Sequence, residues 1–331
     1  MAQILQTTLV DNRAVAAAGE TFQLDLPVNP LSVILLTLRA LNTATAVANR
    51  DWTSEFLDKY TAINVRYRGA SIISGRLRGI APGMMMRERW MWTHGQENNT
   101  DNDLRSLTIP LMFGRRAYDP VECFPATRRG DMILDITAAA DAGGLDGHSV
   151  HIETIELLDA TPARFIKFTE KQQSMTATGA NTIDLPIGNK LLGVLLNPYA
   201  YPTGVARTSS FGEMNLEVDN VEVMYSGVSW EAAHALLQRR LPPTIDWLNH
   251  VHGFIDGAAG QINTQRGQHD QQVGQDFGLL ELDPWNDGSY ALDTRGAADV
   301  ALQINSGTAD GANLSRIYPI ELVETGAPSG A

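Results

Sequence analysis

The chain has 331 residues, of which 44% are hydrophobic and 19% are charged, a composition typical of a folded globular protein and not of a disordered one. The formal net charge is −13, with 15 basic against 19 acidic residues in positions 1–160 and 10 against 19 in the remainder, so neither half offers the basic face that nonspecific nucleic-acid binding requires. No apolar run approaches the roughly 18 residues of a membrane-spanning helix, and Cys123, the single cysteine, excludes an intramolecular disulfide.

The N-terminal segment and the cysteine usage bear on the compartment. Residues 1–19 have no basic cluster ahead of an apolar core, so no signal peptide is expected. A chain without disulfides is suited to the reducing cytoplasm.

The first half reads as strands joined by loops of uneven length. Residues 21–41 predict two strands, and a short helix is predicted around Trp52–Lys59. The further predicted elements are strands at Ile63–Ile73 with a bulge or close approach at Gly69, Met84–Trp92, Leu107–Phe113, Met132–Thr137 and His151–Leu158, with a turn at Arg128–Asp131 and a loop at Ala138–Gly147. The methionine-rich Met84–Trp92 strand is expected to pack in a core or between subunits, with a ligand site as the alternative.

The second half repeats this plan with one clear helix. Apolar residues at helical spacing predict a helix over Trp230–Leu241, with Ser229 as its N-cap and Pro242 and Pro243 ending it. The remaining predictions are a surface loop at Gln261–Gln275, a turn at Asp283–Ser289, a strand at Tyr290–Thr294 and a loop at Asn305–Asn313.

Short sequence matches between the halves indicate a tandem duplication. Leu24–Val28 (LDLPV) is echoed 159 residues later by Ile183–Ile187 (IDLPI), and each leads into an apolar run. Val65–Ser71 and Val223–Ser229 share a V-x-Y-x-G-x-S pattern 158 residues apart. The other matches are His94-Gly95 with His252-Gly253 and Leu134-Asp135 with Leu292-Asp293, both at 158, and Ile155–Asp159 with Ile320–Glu324 at 165.

The strands and the repeat together predict the fold class. Helices do not alternate with the strands, which disfavours a parallel βαβ architecture and favours antiparallel sandwiches. The prediction is an all-β protein with a first domain at residues 1–160, a second at residues 161–331 and a few short helices in the connecting loops.

The seven histidines offer one pattern used by metal sites. His250-Val251-His252 is the H-x-H of a cupin-type site, because alternate residues of a strand point the same way. The downstream carboxylate and third histidine of such a site are not found. The residue of the first copy that corresponds to His250 is Trp92. His148 and His151 are expected at a loop end, exposed to solvent.

Acidic and amide residues cluster at Asn98–Asp103, Asp283–Asp287 and Asp310–Asn313. Each cluster could supply oxygen ligands to structural calcium, but none has the EF-hand pattern, and simple solvation is the other interpretation. Cys123 has no histidine nearby in sequence, and the nucleophile-elbow, P-loop and dinucleotide motifs are absent. We therefore predict no catalytic, cofactor-binding or metal-binding residues and no enzymatic activity.

Three segments carry a resemblance to a known family: Phe22–Leu41 with its strand into SVILLTLRALN, Leu107–Tyr118 (LTIPLMFGRRAY) and Arg128–Ala139 (RRGDMILDITAA). Together with the duplicated sandwich plan, they resemble the double jelly-roll major capsid proteins of tailless icosahedral viruses. That lineage includes membrane-containing bacteriophages and the adenovirus hexon. The resemblance extends over nearly the whole chain as architecture, and it implies two eight-stranded antiparallel jelly rolls.

This resemblance implies a structural protein of the virion that assembles in the host cytoplasm. Three chains would form a homotrimer whose six jelly rolls make a pseudo-hexagonal capsomer, and capsomers would tile an icosahedral shell. Penton or minor capsid proteins are the implied partners, with no direct contact to nucleic acid. An internal lipid membrane is a further partner that the family allows, although residues 1–20 carry only Arg13 as a basic side chain.

Loops Gly193–Ser210 and Gly253–Gln275 are the expected contributors to the outer face. Two alternatives stay open at this point. One is a two-domain β-sandwich hydrolase that processes glycans, and the other is a carbohydrate-binding or spike protein.

Overall fold

The computed structural model describes residues 3–42, 52–88, 102, 104–141, 144–201, 208–241, 252–256, 261–265 and 276–325. The chain divides into two compact units. Unit 1 comprises Met1–Pro162 and Leu241–Gln275, and unit 2 comprises Ala163–Arg240 and Asp276–Ala331. Within the described residues, no helix has the length and apolar character needed to cross a membrane.

Eight strands and two helices make up the first stretch of unit 1. We letter the strands B to I in chain order. The strands and helices in chain order are β1 (B, Gln3–Ala14), β2 (C, Glu20–Asp25), β3 (D, Leu31–Asn42), α1 (Trp52–Lys59), β4 (E, Tyr60–Tyr67), β5 (F, Ala70–Gly75), α2 (Leu77–Glu88), β6 (G, Leu104–Met112), β7 (H, Met132–Ala138) and β8 (I, Leu145–Leu158).

Unit 1 is a jelly-roll sandwich. One antiparallel sheet has the order β1-β8-β3-β6, or B-I-D-G. The other has the order β2-β7-β4-β5, or C-H-E-F. Alternation buries one face of each sheet, as in β7, where every second residue from Met132 to Ala138 is buried. Fully buried Leu36, Ile109, Ile136 and Ile152 are part of the resulting core.

The Gly69 region is a hairpin rather than the predicted single strand with a bulge. Strands β4 and β5 pair with each other, and Arg68 and Gly69 form the turn between them. Both turn residues have positive φ, 49° and 88°. This is the geometry that tight hairpins require, and glycine adopts it without steric cost.

The methionine-rich segment is helical, so the predicted strand at Met84–Trp92 is wrong over its described part. Helix α2 spans Leu77–Glu88 and buries ten of its twelve residues, including Met84, Met85 and Met86. A helix buried on nearly all sides has no polar face, so its sequence shows no helical period. The expected core packing of the methionines is confirmed; residues 89–92 lie outside the described residues.

The elements that follow along the chain include a second set of strands B to I. The list is β9 (B, Arg164–Thr169), β10 (Lys171–Gln173), β11 (C, Gly179–Asp184), β12 (D, Lys190–Asn197), β13 (E, Glu213–Val218), β14 (Val221–Glu222) and β15 (Val228–Ser229) jointly as F, α3 (Trp230–Arg240), β16 (His252–Asp256), β17 (Gln261–Gln265), β18 (G, Gly278–Glu281), β19 (Leu292–Asp293), β20 (H, Val300–Ser306) and β21 (I, Ser315–Glu324).

Unit 2 has the same sandwich topology as unit 1. Strands β9-β21-β12-β18 give the order B-I-D-G. Strands β11-β20-β13 continue to β14 and β15, which both pair with β13, and give C-H-E-F. The core between these sheets contains Ile183, Val194, Leu216, Leu302 and Ile317. The predicted fold class, two tandem eight-stranded jelly rolls with a few short helices, is confirmed.

The predicted helix in the second half is confirmed as α3, which ends one residue earlier, at Arg240. The hydroxyl of Ser229 accepts a hydrogen bond from the backbone N–H of Ala232 at 3.3 Å, as expected of an N-cap. Gln261–Gln265 is a strand paired with β16 and not part of the predicted loop. Similarly, Gly193–Asn197 belongs to β12, so the predicted outer loop Gly193–Ser210 begins after Asn197.

The two units repeat the same strand order, but the sequence matches between the two halves do not all fall on equivalent strands. The LDLPV and IDLPI segments both close strand C, and Ile155–Asp159 and Ile320–Glu324 lie at the ends of both I strands. By contrast, Leu134-Asp135 lies in strand H, whereas Leu292-Asp293 lies in β19, ahead of strand H of unit 2. Insertions of different length between strands shift the offset along the chain.

Candidate functional site: the loop ends of the two units

The jelly-roll topology sorts the connections of each unit between two ends. Because consecutive strands run in opposite directions, the B–C, D–E, F–G and H–I connections share one end, here the BC end. The C–D, E–F and G–H connections share the other, here the CD end. Helices α1, α2 and α3 all belong to D–E or F–G connections and therefore to the BC ends.

A buried lysine ties the loops at the BC end of unit 1. The ammonium of Lys59, whose side chain is 3% exposed, donates to the carbonyl oxygen of Ala139 at 2.6 Å and pairs with the Asp141 carboxylate at 2.5 Å. The N–H of Asp141 donates to the carbonyl oxygen of Ala17 at 2.7 Å. The Glu55 carboxylate of α1 accepts the N–H of Gly144 at 2.8 Å. The ion pair and these hydrogen bonds together link the B–C, D–E and H–I connections.

His148 lies beside this ion pair and is buried, so the expectation of a solvated histidine is wrong for it. Its Nε2 is 3.8 Å from the Asp141 carboxylate, and its ring meets Phe56 edge-on with centroids 5.9 Å apart. Burial, and then the Lys59 ammonium, lower the pKa of His148 below its usual value, although Asp141 and Asp146 act in the opposite direction. His148 is therefore neutral at pH 7.

The lowered pKa of His148 predicts a loss of stability in mild acid. His148 takes up a proton near pH 6.5 in the unfolded chain and only at lower pH in the folded chain, so the free energy of unfolding is unaffected above pH 6.5 and falls below it. The slope from one such group is at most about 1.4 kcal/mol per pH unit. Urea unfolding at pH 7.5 and 5.5 should show a smaller pH effect in His148→Gln than in the native chain; equal pH effects would contradict the assignment.

A buried carboxylate organises the BC end of unit 2. Asp310, 2% exposed, accepts the N–H of Met175 at 3.1 Å and the N–H and hydroxyl of Ser315 at 3.2 and 2.7 Å. Its other oxygen accepts the hydroxyl of Ser210. Because these donors come from the B–C, D–E and H–I segments, Asp310 joins all three. Solvation or a calcium ligand was the expectation for this residue, and its carboxylate is instead occupied by protein donors.

The CD ends carry the same hydrogen bond in both units. In unit 1 the side-chain amide of Asn29 donates to the Glu156 carboxylate, and in unit 2 that of Asn189 donates to Glu321, each at 2.7 Å. Both glutamates are buried, at 2% and 1% exposed. Lys167 adds an ion pair to Glu321 at 3.1 Å. The asparagines follow the Leu-Pro-Val and Leu-Pro-Ile echoes, and the glutamates belong to the Ile-Glu-Leu echo, so two sequence repeats meet in space.

Three further candidate residues, His151, Asp283 and Cys123, have contacts within the described part of the chain. His151 lies on strand β8, with Nδ1 3.1 Å from the Asp11 carboxylate. Asp283 is buried in its turn and accepts the N–H of Gly288 at 2.9 Å. Cys123 is buried, and burial, with a smaller effect of Asp119, raises the pKa of its thiol to about 12, so it is not a nucleophile at neutral pH.

Several of the candidate metal-ligating residues lie outside the part of the chain that the structure describes. His94 and His250 lie outside the described residues, as does Asn98–Asp103 apart from residue 102. His252 begins β16. Over the part of the chain that is described, no group of three or more His, Cys, Asp or Glu side chains could hold a metal ion.

No protein-family model and no curated protein sequence matches the chain. Solved structures do match along its whole length. The major capsid protein of Sulfolobus Turreted Icosahedral Virus aligns over 98% of this chain and 97% of its own, with 15% identity and a TM-score of 0.63.

Two further capsid proteins give similar alignments. The major capsid protein P2 from bacteriophage PM2 aligns over 99% and 100% of the two chains, with 10% identity and a TM-score of 0.61. The Faustovirus major capsid protein aligns over 98% and 90%, with 8% identity and a TM-score of 0.54. With both jelly rolls aligned in each case, this chain has the fold of the double jelly-roll major capsid proteins.

Proposed function

We propose that this chain is the major capsid protein of an icosahedral virus, a structural protein that acts by self-assembly. The proposal rests mainly on the extent of the structural alignments. The alignments with TM-scores of 0.53 or more cover 97–99% of this chain and 90–100% of the capsid proteins. The likeness therefore takes in both jelly rolls and their order, and not just one common sandwich.

The duplicated architecture suits a particular assembly. Residues 1–160 and 161–331 are two similar but unequal jelly rolls, so three chains supply six similar units to a pseudo-hexagonal capsomer. Capsomer–capsomer contacts then tile the shell of the virion, with penton or minor capsid proteins at special positions and, in a lipid-lined virus, a membrane beneath. The acidic charge of both halves supports a shell without direct contact to the genome.

The hydrolase alternative finds no support at the buried acids. Glycan hydrolysis requires two carboxyl groups facing a common cleft, one of them able to give up a proton. Glu156, Glu281, Glu321 and Asp310 are buried, and each accepts hydrogen bonds from side chains of its own unit. These four acids are therefore engaged in contacts within their own unit.

We expect the purified chain to be a trimer. Light scattering at neutral pH should give three times the chain mass of 36.0 kDa, or larger shells, and negative-stain microscopy should show particles with hexagonal outline. The mass should persist over a hundredfold dilution, because an obligate capsomer buries an extensive interface. A monomer at all concentrations would overturn the proposed function.

A further inference from the structure

Strand β1 contributes no buried residue to the core of its sandwich. It spans Gln3–Ala14 at the edge of its sheet, and none of its twelve residues is buried. Ile4 and Leu5 are 60% and 40% exposed. The equivalent strand B of unit 2, β9, buries two alternate residues, Ile166 and Phe168, on one face. The same position of the duplicated fold is thus covered in one unit and bare in the other.

Strand F shows the reverse difference. In unit 1, β5 buries Ile72 and Ile73. In unit 2, none of the residues from Val221 to Ser229, which contain β14 and β15, is buried. Val221 and Met224 are 62% and 53% exposed. Each unit therefore leaves one of these two strand positions bare, meaning that the position has no buried residue, and the position differs between the units. Val223, Tyr225 and Val228 still pack partly against the core of unit 2.

The chemistry of the two bare surfaces suits contact with another protein surface. Residues 3–10 (QILQTTLV) contain no charge and no proline, the devices by which edge strands normally avoid pairing with other chains. Among the described residues no strand pairs with the second edge of β1. Residues 221–229 (VEVMYSGVS) carry a single charge, that of Glu222.

We infer that strand β1 of one chain is covered by the Val221–Ser229 edge of unit 2 in a second copy of the chain. The contact joins two different surfaces, so it is heterologous, and repetition around a rotation axis closes it into a ring. Each chain offers one surface of each kind. This inference rests on the proposed trimer and names the strands that hold it together.

Cross-linking between introduced cysteines tests the pairing. Chains carrying Leu5→Cys and chains carrying Val221→Cys or Met224→Cys, with different tags, are co-expressed and treated with a short bis-maleimide. We expect a cross-linked heterodimer for Leu5 with at least one of the two unit 2 positions. Cys123 is buried and serves as the unreactive background. Ile187→Cys, 50% exposed at the CD end of unit 2, is the matched control and should not cross-link to Leu5→Cys.

A charge at the same position gives a second readout. Leu5→Lys should shift the light-scattering mass from trimer toward 36.0 kDa, whereas Ile187→Lys should remain trimeric. Because Leu5 is 40% exposed, the circular dichroism spectrum should stay unchanged, which shows that the chain still folds.

The outcomes separate this inference from the proposed function. Three results with a native trimer would overturn the strand pairing and leave the proposed capsomer in place. The Leu5→Cys chains could cross-link to each other, they could cross-link to neither unit 2 position, or the Leu5→Lys variant could stay trimeric. A native monomer overturns both.

Discussion

Replacing Asp310 with alanine is expected to lower the stability of unit 2 by about 4 kcal/mol, because each orphaned donor costs roughly 1–3 kcal/mol. The carboxylate accepts four hydrogen bonds, from the N–H groups of Met175 and Ser315 and from the hydroxyls of Ser210 and Ser315. Alanine leaves these donors facing a small buried space. Scanning calorimetry should show the transition of unit 2 moving down by roughly 10 °C.

Two variants sharpen the Asp310 experiment. Asp310→Asn keeps the shape and one acceptor oxygen, so its loss should be intermediate, about 1–2 kcal/mol. Asp299→Ala removes an exposed acid of the same unit and should change stability by less than about 0.5 kcal/mol. Equal losses in Asp310→Ala and Asp299→Ala would show that the carboxylate does not tie the three connections.

Alternation of apolar residues was enough to predict the strands whose two faces differ. Strand β7 buries every second residue, and β6 alternates as far as Ile109 and is then buried on both faces up to Met112; the sequences of both show the alternation. Strand β20 carries the same signal in Val300, Leu302 and Ile304 and could have been found from it. The pattern fails in β1, where neither face is buried, and in α2, where almost every residue is. A sequence period arises only when one face of an element is buried and the other is exposed, and neither β1 nor α2 has such a difference between its faces.

The residues that hold the loop ends were not predictable, because their partners are far away in sequence. Asp310 binds Ser210 and Met175, which lie 100 and 135 residues away. Asn29 and Glu156 are separated by 127 residues. An acid or amide in a loop looks solvated unless the tertiary pairing is known. The one available signal was the repeat itself, since an asparagine after Leu-Pro and a glutamate in Ile-Glu-Leu recur in both copies.

Helix α3 also depends on tertiary packing, and proline at Ala233 tests it. Proline in a helix interior costs about 3 kcal/mol or more, since it removes a backbone hydrogen bond and clashes with the preceding turn. Ala233 is fully buried, and a Cβ added at Gly278 of β18 would lie only 3.2 Å from its Cβ. A backbone shift at this close approach disturbs the core as well, so we expect a loss of about 4 kcal/mol in urea unfolding.

The exposed face of α3 supplies the matched control. Ala235→Pro removes the corresponding backbone hydrogen bond at an exposed position and should cost about 3 kcal/mol, whereas Ala235→Gly should cost about 1 kcal/mol. The difference between Ala233→Pro and Ala235→Pro then measures what contact with β18 adds. An unchanged unfolding midpoint for Ala233→Pro would mean that α3 is dispensable for unit 2. Because α3 directly follows the bare Val221–Ser229 edge, its loss should also release the trimer.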